Sequence, residues 1–205
     1  MELYAAAGMD FVKQVSGLGK QVFLDLKLYD IAETVKRATR RICESGAVTF
    51  LTVHASRILM QAAVEGRASS NVKILAVTVL TSFDQNDLAD LGITAALSEV
   101  VALRVRKAVE AGVDGIVCSP LEVAQVRQIA GPDLKLVIPG VRSAGASLGD
   151  QKRVATPAEA IRAGADYLVI GRQITRAADP AAACRQILAE IAAERETRQA
   201  SRVPA

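Results

Sequence analysis

The sequence predicts an α/β fold in which a parallel sheet closes into a (β/α) barrel. Short runs of β-branched and aliphatic residues alternate with longer helical patterns, which is typical of parallel strands joined by crossover helices. Small-residue turns, E-S-G-A-V, E-A-G-V-D and R-A-G-A-D, precede three of the strands. Polar residues gather where the strands end, and in a barrel the loops at those ends build the active site.

Six strands are predicted along the chain. After a helical start at 2–15, they are 22–26, 48–53, 74–77, 115–118, 136–138 and 167–170. The helices between and after them are 32–44, 58–65, 98–111, 121–130, 156–162 and 180–195. Three glycines stand where a left-handed helix cap favours that residue: Gly46, Gly112 and Gly164.

Composition indicates one globular domain over residues 1–205, with about 196–205 as a flexible tail. Of the 205 residues, 51% are hydrophobic and 23% are charged, so a large core can be buried. No apolar run approaches the roughly 20 residues that span a bilayer, and the start lacks a signal-peptide pattern, so we expect a cytoplasmic protein without a membrane partner. A net charge of +3 and 3% aromatic residues do not favour a nucleic-acid partner.

The cysteines and the single histidine do not suggest a metal centre. Cys43, Cys118 and Cys184 are far apart and lack C-x-x-C spacing, so we interpret them as reduced thiols. No His, Cys and carboxylate spacing suits a metal. Neither a G-x-S-x-G elbow nor a Walker-type loop is present, so the chemistry is expected to depend on Asp and Lys.

The stretch V-F-L-D-L-K-L-Y-D-I places charges inside an apolar run. Successive side chains on a strand point to opposite faces, so Asp25 and Lys27 are predicted to share a face with Phe23. Unpaired burial would be costly, so the two residues either neutralise each other as a structural ion pair or meet a polar ligand. Asp30 follows where the strand ends, which makes the three charges a candidate catalytic group.

Polar residues also follow the later strands: His54; Thr78, Thr81 and Ser82; Arg142 and Gln151; Gly171 and Arg172. Barrels commonly bind phosphate on the loops after the last two strands, where V-I-P-G-V-R and V-I-G-R occur. Glycine there lets backbone N–H groups approach phosphate oxygens, and arginine supplies a charged clamp. These features favour a phosphate site over simple tight turns. A lone histidine at a strand end is more often structural, so His54 is assigned no role.

Four motifs carry a resemblance to a known family: F-L-D-L-K-L-Y-D-I, A-V-T-V-L-T-S, V-I-P-G-V-R followed by G-D-Q-K-R, and D-Y-L-V-I-G-R. Together they resemble the orotidine 5'-phosphate decarboxylases and span nearly the whole chain. The resemblance implies a TIM (β/α)8-type barrel of the ribulose-phosphate-binding kind. It also implies a homodimeric enzyme of pyrimidine biosynthesis that converts orotidine 5'-phosphate to uridine 5'-phosphate without a cofactor.

The resemblance implies a catalytic role for the charges on the first predicted strand. Lys27 is expected to protonate the carbon that loses carbon dioxide, and Asp25 to lie against the departing carboxylate. A cation beside that carbon stabilises the developing carbanion before protonating it. Asp30 and Thr34 are expected to reach across a dimer interface into the site of the neighbouring subunit.

The resemblance also implies which residues bind the rest of the substrate. Thr81 matches the position that contacts the pyrimidine. Gln151 and Arg142 match the loop that closes over the phosphate, and residues 143–152 are expected to form that lid. Gly171 and Arg172 match the residues that bind the phosphate itself.

Compared with the family, the chain is expected to be incomplete at its amino terminus. Family members begin with a strand ending in an aspartate and a second strand ending in K-V-G, and neither pattern is found here. The chain is therefore expected to lack roughly the first two of eight barrel strands.

Three interpretations of that difference are open. The start lies at an internal methionine of a longer enzyme, or the chain is a shortened phosphate-ligand-binding module with impaired catalysis. The third interpretation is a related phosphosugar decarboxylase or aldolase of the same superfamily, a magnesium-dependent class. The T-V-L-T-S and P-G-V-R motifs argue against the third interpretation.

Overall fold

The computed structural model describes residues 1–143 and 153–200, with side chains to residue 197. Two compact units make up the chain: Met1–Thr78 with Leu103–Ile116, and Val79–Ala102 with Val117–Ala205. In the described residues, one or two helices follow each strand, which agrees with the parallel α/β fold that the sequence pattern predicts.

The strands are β1 Phe23–Leu28, β2 Phe50–His54, β3 Lys73–Val77, β4 Gly115–Val117, β5 Lys135–Ile138 and β6 Tyr167–Leu168. The helices are α1 Glu2–Gly17, α2 Ala32–Glu44, α3 Arg57–Arg67, α4 Gln85–Asp90, α5 Leu97–Ala111, α6 Val123–Ala130, α7 Pro157–Ala163, α8 Arg172–Thr175 and α9 Pro180–Ala200, with a 3-10 turn at Pro120–Glu122. Sequence periodicity predicts neither α4 nor α8, because helices this short carry too few turns to show a pattern.

In the first unit, β1, β2 and β3 pair in parallel in chain order. The pairing of β2 with β3 is regular from Phe50 opposite Lys73 to His54 opposite Val77. Most of the β2 and β3 side chains are buried, which explains their nearly continuous apolar sequences.

Helices α2 and α3 pack closely in the same unit. Val35, Thr39 and Ile42 recur at helical spacing on α2 and are buried. Gly66 on α3 lies against the α2 backbone, because a Cβ added to it would stand 2.3 Å from the carbonyl oxygen of Lys36. The two helices can approach this closely only if residue 66 has no side chain.

An aspartate connects the amino-terminal ends of β3 and β4 in the first unit. The Asp114 backbone N–H donates to the Ile74 carbonyl at 2.9 Å, and its carboxylate accepts the Ile74 N–H at 2.8 Å. The same carboxylate forms an ion pair with Arg67 and a longer one, of 3.5 Å, with Lys73. The aspartate of the E-A-G-V-D turn therefore links the start of β4 to β3 through two hydrogen bonds.

The second unit repeats this arrangement at β5 and β6, which pair in parallel. The Asp166 N–H donates to the Leu136 carbonyl at 3.0 Å, and its carboxylate accepts the Leu136 N–H at 2.8 Å. Arg127 binds that carboxylate at 2.7 Å and also donates to the carbonyls of Gly131, Leu134 and Gly164. Asp166 belongs to R-A-G-A-D, so two similar turn sequences make the same contact.

Helix α9 runs to Ala200, beyond the predicted end at 195, while residues 201–205 of the predicted tail lie outside the described part of the chain. It packs on α7, where Arg162 forms a two-pronged ion pair with the buried Glu194. In the described residues, no helix has both the length and the apolar character needed to cross a membrane.

Candidate active site

Strand β1 departs from regular geometry at its charged residues. Phe23 and Leu24 lie opposite Phe50 and Leu51 of β2, but Leu28 lies opposite Val53, so β1 carries extra residues in between. Lys27 has a φ of 52°, in the left-handed region that residues other than glycine rarely adopt. The simple alternation of faces predicted for Asp25 and Lys27 therefore does not describe this part of the strand.

Asp25, Lys27 and Thr52 form a closed set of contacts, which we call the Asp25 cluster. The Lys27 Nζ donates to Asp25 Oδ2 at 2.6 Å. The Lys27 backbone N–H donates to Thr52 Oγ1 at 2.8 Å, and Thr52 Oγ1 donates to Asp25 Oδ1 at 2.9 Å. The pairing of Asp25 with Lys27 is one of the two arrangements that the sequence predicts.

The two charged side chains of the cluster remain accessible. The Lys27 side chain is 29% exposed and the Asp25 side chain 37%, whereas Thr52 is fully buried. An ion pair this exposed stabilises a fold by only about 0–1 kcal/mol. Its geometry nevertheless suits chemistry, since it offers a fixed ammonium donor to a ligand on the protein surface.

His54 lies beside this cluster, at the end of β2. Its ring packs edge-on against Tyr29, with 5.2 Å between ring centres. Burial lowers the pKa of His54, and the positive charges of Arg104 and Lys27 lower it further, against the opposing effect of Asp25. His54 is therefore held in its neutral form at neutral pH.

Asp30 and Thr34 follow β1 and are exposed. The Asp30 Oδ1 accepts the Ile31 N–H at 2.7 Å, while Thr34 lies in the first turn of α2. Tyr29 and Ile31, on either side of Asp30, are 74% and 72% exposed. This places two large apolar side chains next to the third predicted charge.

The predicted pyrimidine and phosphate residues lie in the second unit. Thr81 is buried, Arg142 is half-buried, and Gly171 and Arg172 are exposed at the start of α8. The Ser143 N–H donates to Gln173 Oε1 at 3.1 Å, so a hydrogen bond joins the residue after Arg142 to the residue after Arg172. Gln151 and most of the predicted lid lie outside the described residues.

A buried ion pair of this unit was not anticipated from the sequence. Arg153 pairs with Glu122, and both side chains are nearly buried, at 11% and 7% exposure. Arg153 also donates to the Leu80 carbonyl at 2.9 Å, directly before Thr81, and Glu122 accepts the Ser119 N–H at 3.0 Å. The S-P-L-E capping box is a sequence signal for Glu122, but nothing in the sequence shows its distant partner.

Burial also decides the chemistry of Cys118, which lies near Arg153. Removal from water raises the pKa of the Cys118 thiol to about 12, against the opposing positive charge of Arg153. This thiol is therefore protonated and unreactive at neutral pH. Within the described residues, no group of three or more His, Cys, Asp or Glu side chains is placed to hold a metal ion.

The model of one protein family matches residues 1–187, and that family is described as Orotidine 5'-phosphate decarboxylase / HUMPS. This chain belongs to that family. The match covers both charged residues of the Asp25 cluster and the V-I-G-R segment of the second unit. The predicted resemblance is thereby confirmed.

Several orotidine 5'-phosphate decarboxylases are similar to this family member in sequence. One from Rhodopseudomonas palustris is 55% identical over 194 residues, covering 95% of this chain and 81% of the relative. Another, from Afipia carboxidovorans, is 52% identical over 191 residues, covering 93% of this chain and 81% of the relative.

Two solved structures resemble this decarboxylase-family chain in fold and, at a lower identity than these relatives, in sequence. The crystal structure of orotidine 5'-phosphate decarboxylase from Lactobacillus acidophilus matches with a TM-score of 0.77 at 35% identity, covering 90% of this chain and 81% of that one. An uncharacterized conserved protein from Geobacillus kaustophilus matches with a TM-score of 0.78 at 35% identity, covering 92% and 84% of the two chains.

Proposed function

We propose that this chain decarboxylates orotidine 5'-phosphate to uridine 5'-phosphate, the step of pyrimidine biosynthesis that gives its relatives their name, and that it needs no cofactor. The observation that carries the proposal is the Asp25 cluster, in which an accessible lysine ammonium is held 2.6 Å from a carboxylate. More than half of the aligned residues are identical in relatives named for this reaction.

Lys27 is the proton donor in this reaction. When the bond between the pyrimidine and its carboxylate breaks, the electron pair stays on the ring carbon and carbon dioxide leaves. The Lys27 ammonium stabilises that carbanion and then gives it a proton. The neutral amine regains a proton from water, which the partial exposure of the side chain allows.

Asp25 acts on the reactant rather than on the product. Its carboxylate lies against the substrate carboxylate, so the two negative charges repel each other until carbon dioxide leaves. Thr52 and Lys27 bind one oxygen of Asp25 each, which keeps the group from rotating away from that repulsion.

We assign the remaining substrate contacts to the residues that match the binding positions of the family. Thr81 contacts the pyrimidine, while Arg142, Gln151, Gly171 and Arg172 bind the phosphate. Binding energy at a remote phosphate can be used at the reacting carbon when the enzyme positions both ends of the substrate. The hydrogen bond from Ser143 to Gln173 supports this assignment, because it fixes the spacing between two of the phosphate-binding segments.

The proposed assembly is a cytoplasmic homodimer of TIM (β/α)8-type barrels of the ribulose-phosphate-binding kind. The parallel pairing within each unit and the likeness to the Lactobacillus acidophilus enzyme support the barrel. Asp30 and Thr34 are exposed and reach the partner's site in this proposal. Exposed Tyr29 and Ile31 support it, since a second subunit would remove their apolar surface from water.

The test is the rate of orotidine 5'-phosphate decarboxylation by the wild type and by Lys27→Ala. We expect the kcat of the variant to fall by about 100- to 10,000-fold, which is the range that a positioned proton donor typically contributes. Lys36→Ala is a matched control, because Lys36 is 33% exposed and pairs with Glu65 at 2.8 Å on the same unit.

Wild-type turnover that Lys36→Ala keeps and Lys27→Ala loses supports the proposal. Substantial turnover by Lys27→Ala would refute the role of Lys27. Turnover that stops on addition of a metal chelator would contradict the cofactor-free reaction and favour the magnesium-dependent phosphosugar lyases of the same superfamily.

A further inference from the structure

Thr52 is the one member of the Asp25 cluster that carries no charge and meets no solvent. It stands in the middle of β2, within an apolar run, and is fully buried. A hydroxyl has one proton to donate and two lone pairs to accept with. The Thr52 hydroxyl donates its proton to Asp25 Oδ1, and one of its lone pairs accepts the Lys27 N–H.

The contact with Lys27 replaces a missing strand contact. The register of β1 against β2 shifts between Leu24 and Leu28, which takes the Lys27 N–H out of the regular ladder. A buried N–H without a partner is costly, and here the Thr52 side chain accepts it at 2.8 Å. The hydroxyl thus stabilises the left-handed backbone from which the Lys27 side chain projects.

The contact with Asp25 fixes the carboxylate by its other oxygen. Oδ1 accepts the Thr52 hydroxyl at 2.9 Å and Oδ2 accepts the Lys27 ammonium at 2.6 Å. The buried Oγ1 of Thr52 is therefore hydrogen-bonded both to the main chain of Lys27 and to the carboxylate of Asp25. Moving that atom would move both charged groups.

We infer that Thr52 is a positioning residue that sets the geometry of Lys27 and Asp25 through its hydroxyl. This inference rests on the proposed function for its effect on rate, but the structural hold can be measured independently. Among the described residues, the hydrogen bonds of this hydroxyl go to Lys27 and Asp25, so its loss reduces kcat and leaves KM largely unchanged.

The chain offers a matched control in Thr39. It is also a fully buried threonine of the first unit, on α2, but its Oγ1 has no hydrogen-bond partner among the described residues. Threonine to valine exchanges a hydroxyl for a methyl group of similar size at both positions. The two substitutions therefore differ in the hydrogen bonds that they remove rather than in burial or shape.

The experiment compares Thr52→Val, Thr52→Ser and Thr39→Val with the wild type. Misplacement of reacting groups by about 1 Å can lower a rate roughly 100-fold, so we expect kcat of Thr52→Val to fall about 10- to 100-fold with KM within about twofold. Thr52→Ser keeps the hydroxyl and restores most of the rate, and Thr39→Val behaves as the wild type. Amide hydrogen exchange at Lys27 should be slow in the wild type and in Thr52→Ser and fast in Thr52→Val.

The outcomes separate this inference from the proposed function. A wild-type kcat and a slow Lys27 amide in Thr52→Val would overturn the inference while leaving the decarboxylase assignment intact. If the wild type does not act on orotidine 5'-phosphate, the proposed function fails, and the amide exchange alone decides whether Thr52 holds Lys27. Should valine prevent folding, Thr52→Ala takes its place in both measurements.

Discussion

In the first unit, an aspartate carboxylate pairs with cations at two places along the strands. The two carboxylates differ in their other hydrogen-bond partners and in their exposure. At the amino-terminal ends, Asp114 binds the Ile74 N–H, Arg67 and Lys73, and its side chain is 18% exposed. From the middle of β1 towards its carboxyl end, Asp25 binds Lys27 and Thr52, and the Asp25 side chain is 37% exposed.

The difference lies in what each carboxylate binds besides a cation. Asp114 joins two strands through the backbone, and the Arg67 side chain beside it is only 21% exposed, so these charges contribute to stability. The Asp25 carboxylate is instead bound by two side chains, those of Thr52 and Lys27. Lys27 has a left-handed backbone, and its side chain remains accessible. The pattern agrees with barrels in general, where strand amino ends serve stability and carboxyl ends serve catalysis.

The largest effect that tests this comparison is expected from Asp25→Asn. Asparagine keeps an oxygen for the Thr52 hydroxyl but removes the negative charge, so we expect kcat to fall about 100-fold, as for a misdirected catalytic group. Because the Asp25 side chain is more than a third exposed, the free energy of unfolding should change by less than about 1 kcal/mol. Steady-state kinetics and urea unfolding measure the two quantities, and a large loss of stability with normal kcat would reverse our assignment of the two ends.

Asp114→Asn should show the opposite result. The substitution weakens charge-assisted hydrogen bonds to Arg67 and Ile74 in a mostly buried place, so we expect the free energy of unfolding to fall by about 2–3 kcal/mol. The activity of the folded fraction should stay within about twofold of the wild type, which follows if the group touches no substrate. A selective fall in kcat, measured well below the unfolding midpoint, would contradict the comparison.

Lys73→Ala is expected to have the smallest effect. Lys73 is 51% exposed and its Nζ lies 3.5 Å from Asp114, so its removal should lower the free energy of unfolding by about 0.5 kcal/mol or less. Denaturant unfolding beside Asp114→Asn makes the comparison. A loss as large as that of Asp114→Asn would show that the exposed lysine, and not Arg67 or the backbone, holds the carboxylate.

The sequence predicts the alternating elements well where periodicity is long. The buried strands around Val53 and Ile74 are visible as apolar runs, and α2 as a pattern of buried residues at helical spacing. The short α4 is instead marked by its capping box, in which Asp84 accepts the Asp87 N–H and Asp87 accepts the Asp84 N–H. A few polar residues of this kind do not distinguish a single helical turn from a loop.

The candidate site is less completely predictable. Charged residues in an apolar strand indicate Asp25 and Lys27 directly, since a buried charge requires a partner. Thr52 gives no such signal, because threonine is an ordinary strand residue. Its role depends on the shift of β1 against β2, and only the paired strands reveal that register.

The left-handed backbone at Lys27 has an evolutionary consequence. Glycine adopts this conformation without strain, whereas a lysine there costs the fold about 1–2 kcal/mol. Selection for folding alone would therefore replace Lys27, whereas selection for turnover retains it if Lys27 is the proton donor that we propose. At position 27 we therefore expect ancestral sequences to keep lysine. Redesigns that are selected for stability alone should favour glycine there.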